Sequence, residues 1–429
     1  MFKGFFKQDF ILTTCIILLS MLGIISIFST NQSYTGVRQT IFVITGLILY
    51  FIIMSIDYKL YRQRLIQVLA YSMIIILLIL IYVLNIKSNN TYRWFTLGSI
   101  DVQPAEFAKI VVIIITAGFF TFFRKVKNPL KKIALGFLIV APIILLIFKQ
   151  PALGTSIVVF VIWLSIVFAS YHDHIKFIYI LITFILSALL VTSFLNINII
   201  NANINLLFIN VNIIILLGLI FLLFIIHRLS KKRINFMMFI SIVIIGLIIG
   251  SSFKFIVWDH LMKNYQKQRI VGFLNTSNNA NSTENFQVTQ SKVAIGSGGF
   301  YGEGYAQGTQ STLNFLPEDT TDFIYSTFIQ DFGFIGNIIF MFLYFILIYR
   351  LINILNTTKN RFSTLMMFGI LTMIIFQFFI NIGMNLGIMP ITGIPLPLVS
   401  YGGSALFTVL ILLGISQNIY IEDNAERQN

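Results

Sequence analysis

Charge is scarce in this chain. Only 10% of its 429 residues are Asp, Glu, Lys or Arg, whereas a soluble globular domain carries about a quarter. A chain this poor in charge cannot cover a water-facing surface of its own size. Thiol is scarcer still: Cys15 is the single cysteine and lies inside the first apolar block. One thiol excludes an internal disulfide framework and reads as a small buried apolar residue. The four histidines, His172, His174, His227 and His260, fall on different connections. A structural zinc site needs about four clustered ligands, so that class is excluded too. Phosphate-loop patterns are also missing. Gly296, Gly298, Gly299, Gly302, Gly304 and Gly308 fit neither G-x-G-x-x-G nor G-x-x-x-x-G-K-[ST], and no strand-to-helix context surrounds them. They predict a tight loop in which glycine permits positive φ and close backbone approach.

What is abundant is apolar sequence, 57% of the chain, arranged in long blocks. A bilayer core needs about 20 apolar residues per helix, and lipid leaves any exposed backbone polar group unsatisfied. The pattern predicts an all-α polytopic membrane protein forming one membrane domain over 1–429. About 12 spans are expected, near 10–28, 39–56, 66–86, 105–123, 133–148, 154–169, 176–196, 204–227, 233–252, 333–350, 363–380 and 402–420. The basic N-terminus MFKGFFKQDF leads into an apolar run reaching about Phe28. That run is longer than a cleavable signal carries, which predicts an uncleaved first span.

Alternate connections collect 19 of the 29 basic residues, all in short segments from Lys3 to Arg427. By the positive-inside rule that side is cytoplasmic, with both termini on it. The net charge of +14 then anchors short loops to anionic lipid and calls for no nucleic acid. The longest connection, about 253–332, faces outward and is too long for a plain linker. Its stretch NTSNNANSTENFQ reads as mobile, while the following QSKVAIGSGGFYGEGYAQGTQSTLNFLPEDTTDF reads as folded against the membrane surface.

Charged residues near membrane depth carry the chemistry. Arg93 and Trp94 precede a turn, and Glu106 and Lys109 follow at a helix start. Their i, i+3 spacing puts both on one helical face. The pair either neutralises itself at the interface or lines a polar cavity. Arg269, Lys292, Glu303, Glu318, Asp319, Asp322 and Asp331 lie in the outer loop. Most read as solvated loop charges. Asp322 is different because apolar sequence resumes beside it in TTDFIYSTF, which places it at the mouth of the bundle. A partly desolvated carboxylate there can serve as a general base.

The blocks RWF…QPAEFAK, QPALGT, QRIVGFLN, QSKVAIGSGGFYGEG, GTQSTLNFLPEDTTDF and GIPLPLVSYGGSAL resemble, in order, the hallmarks of the RodA, FtsW and SpoVE family. The GTQSTLNFLP…TDF run resembles the elongation (RodA) branch most closely. The resemblance implies a glycosyltransferase that polymerises lipid II into peptidoglycan outside the cytoplasmic membrane of a bacterium, beside a class B penicillin-binding transpeptidase. It implies Asp322 as the essential carboxylate, with Arg93, Lys109, Arg269 and Lys292 as cations for the pyrophosphate and a divalent metal, Mg or Mn, as a helper. Trp94, Glu106, Gln290, Ser291, Gln310 and Ser400, in the same blocks, complete the expected substrate-binding set. The chain departs from the family where Ala152 replaces an acid and where Gln330 and Asp331 replace a Glu pair. Ten spans are usual in the family. The two extra ones fall between 176 and 252, a change that keeps the catalytic loop outside. Two rivals stay open: a lipid II flippase, and a scaffold that activates the transpeptidase without catalysis.

Overall fold

A computed structural model describes residues 8–30, 32–84, 93–97, 100–124, 129–150, 152–171, 283–313 and 315–428, with scattered positions within 178–183, 240–248 and 262–269. The chain, expected as one membrane domain, divides into two compact units, Met1–Val167 with Gln268–Asn429, and Phe168–Lys267. Few positions of the second unit are described.

Nine helices among the described residues are long and apolar enough to cross a membrane. They correspond one for one to nine of the expected spans. The other three, 176–196, 204–227 and 233–252, lie largely outside the described residues. In order, the elements are α1 (Phe10–Ser29), α2 (Ser33–Met54), a 3-10 turn (Tyr58–Arg62), α3 (Arg64–Val83), β1 (Phe95–Leu97), β2 (Ile100–Val102), α4 (Pro104–Phe122), α5 (Pro129–Lys149) and α6 (Leu153–Ser170). They continue as α7 (Thr283–Ser297), α8 (Thr309–Thr312), α9 (Ile324–Thr357), α10 (Arg361–Asn385) and α11 (Gly403–Gln428). Residues 283–287, expected to be mobile, are the opening turns of α7.

Local chemistry sets several boundaries. The Asp9 carboxylate accepts from Leu12 N at 3.2 Å and caps α1. Asn360 caps α10 in the same way, accepting from Phe362 N at 3.0 Å. Each cap satisfies an amide that the first helical turn leaves without a partner. Pro104 opens α4, where its missing N–H costs nothing and its fixed φ suits the helix. The strands β1 and β2 pair antiparallel with Thr96 opposite Asp101 and deliver the chain to that proline.

Helices α2 and α11 pack side by side, as do α1 and α9. Small residues allow the close approach that van der Waals packing needs where lipid supplies no hydrophobic drive. A methyl on Gly414 of α11 would sit 2.9 Å from the Tyr50 carbonyl oxygen of α2.

Helix α9 is not continuous. Gly333 takes φ +63, ψ −160 and breaks it, and the expected span began at that break. The preceding turns, with Gln330 and Asp331, read as loop in the sequence because they are polar. They are helical because the segment 298–304 takes up the broken ladder. Glu303 N donates to Gln330 O at 2.8 Å and Gly304 N to Asp331 O at 3.2 Å, while Phe334 N donates to Gly299 O at 3.0 Å. Irregular backbone at this depth is tolerated where protein covers its polar groups.

Candidate active site

The acidic turn between α8 and α9 is built on one carbonyl. Glu318 takes a left-handed conformation, φ +59, and its carbonyl oxygen accepts from the N–H groups of Thr321, Asp322 and Phe323 at 3.1–3.2 Å. The turn is tied down at both ends. Ser400 Oγ donates to Thr321 O at 2.6 Å and accepts from Leu396 N at 2.8 Å. Tyr401 N donates to Thr320 O at 2.9 Å. Across the turn, Gln32 Nε2 donates to the buried Asp319 carboxylate at 3.3 Å.

Asp322 lies at the end of this turn, half-buried, one residue before Phe323 closes the apolar interior. Its backbone carbonyl accepts from Asn381 Nδ2 at 3.1 Å and Asn385 Nδ2 at 3.0 Å. Its side chain faces Gly393, whose positive φ of +67 turns the 386–402 connection towards it. The Cβ position of Gly393 lies 3.5 Å from Asp322 Oδ2 and 3.8 Å from Arg269 Nη1. Desolvation pushes the Asp322 carboxyl up to about 6, and the nearby Glu318 charge adds to the rise. Arg269 and Arg93 pull the other way. The result is a carboxyl that exchanges its proton near neutrality.

The other expected site residues divide by what holds them. Arg93 is half-buried and donates from Nε to Gln150 O at 2.9 Å, so its charge is fixed beside the turn. Trp94 follows it, half-buried, into β1. Glu106 and Lys109 form an ion pair of 2.6 Å, with side chains only 4% and 1% exposed. Of the two alternatives left open for this pair, the structure shows the neutralised one, buried rather than at the interface. The two charges neutralise each other, and Glu106 also lines a small cavity with Gln377, Pro395, Pro397 and Ser400. Ser291 is spent on the protein, bonding Ser326 Oγ at 2.5 Å and Asn385 O at 2.7 Å. Ser400 is likewise committed to backbone. Lys292 is exposed on α7, its ammonium over Gly387 at the end of α10. Gln290 is half-buried on the same helix. The Gln310 backbone carbonyl accepts from Phe315 N at 3.0 Å.

The arrangement therefore gathers Asp322, Arg269 and Arg93 from three separate sequence blocks. Such a site can remove a proton from a hydroxyl while holding anionic charge nearby. Sequence reasoning missed Asn381 and Asn385. The available signal was two amides spaced i, i+4, which put both on one face at the end of a mainly apolar run.

Comparison with known proteins places the chain in a family. The family model for the FtsW, RodA and SpoVE group, described as cell cycle protein, matches residues 6–204 and 206–425. The chain is 29% identical over 433 residues to peptidoglycan glycosyltransferase RodA of Treponema pallidum, covering 97% of this chain and 98% of that one. It is 31% identical over 351 residues to peptidoglycan glycosyltransferase MrdB of Escherichia coli, covering 82% and 76%. A solved chain from a peptidoglycan synthase complex that coordinates polymerisation and crosslinking shares the fold, with TM-score 0.67 and 21% identity over 98% of this chain and 99% of that one.

Proposed function

The chain belongs to the FtsW, RodA and SpoVE family of cell cycle proteins, and from that premise we propose that Asp322 is the general base of a peptidoglycan glycosyltransferase. The protein is a multi-pass enzyme of the bacterial cytoplasmic membrane, and it extends glycan strands from lipid II on the outer face.

In the reaction, the Asp322 carboxylate takes the proton of the acceptor sugar hydroxyl as that oxygen attacks the anomeric carbon of the donor. The C–O bond forms on the face opposite the leaving group, the configuration inverts, and the lipid pyrophosphate departs with its bonding electrons. Arg269 and Arg93 face the same carboxylate and meet the charge that develops on pyrophosphate. Lys109 is already paired with Glu106, so the two arginines carry this role. Among the described residues no group of three or more His, Cys, Asp or Glu gathers to hold an ion; an Mg or Mn ion here would be held by one or two carboxylates together with the pyrophosphate oxygens, whose charge it would help to neutralise.

The observation that carries this reading is the construction around Asp322. Its backbone is bonded on both sides, while desolvation holds its carboxyl at about 6, close to the operating pH that suits a general base. A class B penicillin-binding transpeptidase is the partner we propose. Support comes from the solved relative, whose complex couples polymerisation to crosslinking.

The test is strand synthesis by the purified protein with its transpeptidase and labelled lipid II. Asp322→Ala should lower the rate by about 10²–10⁴-fold, the usual contribution of a positioned base, in a protein that still folds and binds its partner. Equal strand synthesis by both proteins would remove Asp322 from the role. Lipid crossing vesicles without strand growth in either protein would favour a flippase.

A further inference from the structure

Two buried amides hold the residue that carries the reacting carboxylate. Asn381 and Asn385 are each 0% exposed and stand one turn apart on α10, so their side chains project from the same face. Both donate to one acceptor, the Asp322 carbonyl, at 3.1 and 3.0 Å. A carbonyl oxygen has two lone pairs, and here both are filled. The Asp322 N–H is bonded as well, to Glu318 O at 3.1 Å. Every backbone polar group of this residue is therefore fixed, which leaves the side chain as the part free to react.

The same amides also fix what surrounds the carboxylate. Asn381 Nδ2 donates to Ile394 O at 2.9 Å, next to Gly393, whose Cβ position lies within 4 Å of both Asp322 Oδ2 and Arg269 Nη1. One side chain thus sets the spacing between the turn and the connection that walls it. Asn385 is held in turn: its Oδ1 accepts from Ser326 N at 3.2 Å and Ser326 Oγ at 2.5 Å, and its Nδ2 also donates to Asn381 O at 2.8 Å. Mere solvation of an amide inside a helix bundle would not require two side chains to converge on one carbonyl.

We propose that Asn381 and Asn385 are positioning residues for the glycosyl transfer, holding the Asp322 backbone so that its carboxylate stays aimed at the acceptor hydroxyl. This rests on the assignment of Asp322 as base. The amides touch neither substrate nor reacting atoms and act only through Asp322. A misplacement of about 1 Å at a reacting group can cost on the order of 100-fold, so the expected loss is in turnover rather than in substrate affinity.

The experiment measures kcat, KM for lipid II and the pH–rate profile of strand synthesis for Asn381→Leu and Asn385→Leu, which keep the branched shape and lose the amide's donor and acceptor alike. Rates are expressed per folded protein from thermal unfolding. We expect kcat to fall roughly 10- to 100-fold with KM changed less than about threefold. A loosened carboxyl gains water, so the acidic limb should move to lower pH; the charges facing it, Glu318, Arg269 and Arg93, stay in place. An unchanged kcat per folded protein with an unchanged acidic limb overturns the proposal. If a leucine variant is not recovered folded, Asn381→Gln and Asn385→Gln decide, since each keeps a donor displaced by one methylene. A native profile in both overturns the proposal, and a reduced kcat with a moved limb supports it. Asp322→Ala in the same assay separates the two claims. Retained strand synthesis there removes the base itself. Its loss, with native asparagine variants, removes only the positioning role.

Discussion

Two carboxylates of the bundle, Glu106 and Asp322, are handled in opposite ways. On α4, Glu106 meets Lys109 at 2.6 Å with both side chains almost wholly buried, so the charges cancel where they stand. At the acidic turn, Asp322 is held through its backbone, and cations act on its side chain electrostatically. A closed pair of this kind is architecture, because a buried charge is retained only where a partner offsets its desolvation. A carboxylate fixed by its main chain but left responsive to protons is suited to chemistry. Burial alone therefore does not mark the reactive group. What marks it is whether the side chain is already spent.

The largest effect should come from breaking the closed pair. Lys109→Met leaves the Glu106 carboxylate buried without its cation, and removing one partner of such a pair costs about 3–5 kcal/mol. Thermal unfolding of the purified protein should show this as a marked fall in midpoint. Glu106→Gln/Lys109→Met together should recover most of it, since no unpaired charge is left. If the double variant is as unstable as the single one, Glu106 and Lys109 each matter for something other than the other, and the contrast with Asp322 weakens.

A smaller effect tests the responsive side. Glu318 is exposed, and its charge raises the Asp322 carboxyl. Glu318→Gln removes a like charge, so Asp322 should release its proton at lower pH. The base works deprotonated, so the acidic limb of the strand-synthesis profile, expected near 6 in the native chain, should move acid-ward. The backbone of the turn hangs on the Glu318 carbonyl, which the substitution keeps. A limb that stays in place would show that Glu318 does not reach Asp322 electrically.

Most of the architecture was legible in the sequence because lipid imposes a single demand, long apolar runs, and nine such runs became nine helices among the described residues. Asp322 was legible for a related reason: a carboxylate beside resuming apolar sequence stands out against it. Ser291 and Ser400 show where that kind of reading stops. Residue type alone cannot tell a hydroxyl that meets substrate from one given to a carbonyl, and both of these are given away inside the protein. The break at Gly333 was read as a helix start, because the polar turns before it are satisfied by a segment some thirty residues earlier in the chain. Long-range hydrogen bonding of that sort leaves no local periodicity. Asn381 and Asn385 lay just past the expected end of their span at residue 380, where an amide reads as the edge of the membrane rather than as a partner for a distant carbonyl.

The smallest effect is also the one that separates the two regions most cleanly. Arg269 and Arg93 each lower the Asp322 carboxyl, Arg269 more than Arg93. Arg269→Gln removes an opposite charge, so the carboxyl should hold its proton to higher pH and the acidic limb should move alkaline, opposite to Glu318→Gln. Arg93→Gln should do the same by less. Each shift is expected to stay within about one pH unit, the scale of a single charge acting across a partly solvated gap, and to shrink as salt is raised. Neither arginine variant should move the unfolding midpoint as Lys109→Met does, because neither strands a carboxylate that the bundle has sealed in. Alkaline movement in both, ranked Arg269 above Arg93, would establish Asp322 as the group whose titration the assay reads. Movement in the acid direction would mean that the limb belongs to another group, and the distinction between a spent carboxylate and a responsive one would have to be drawn elsewhere in the turn.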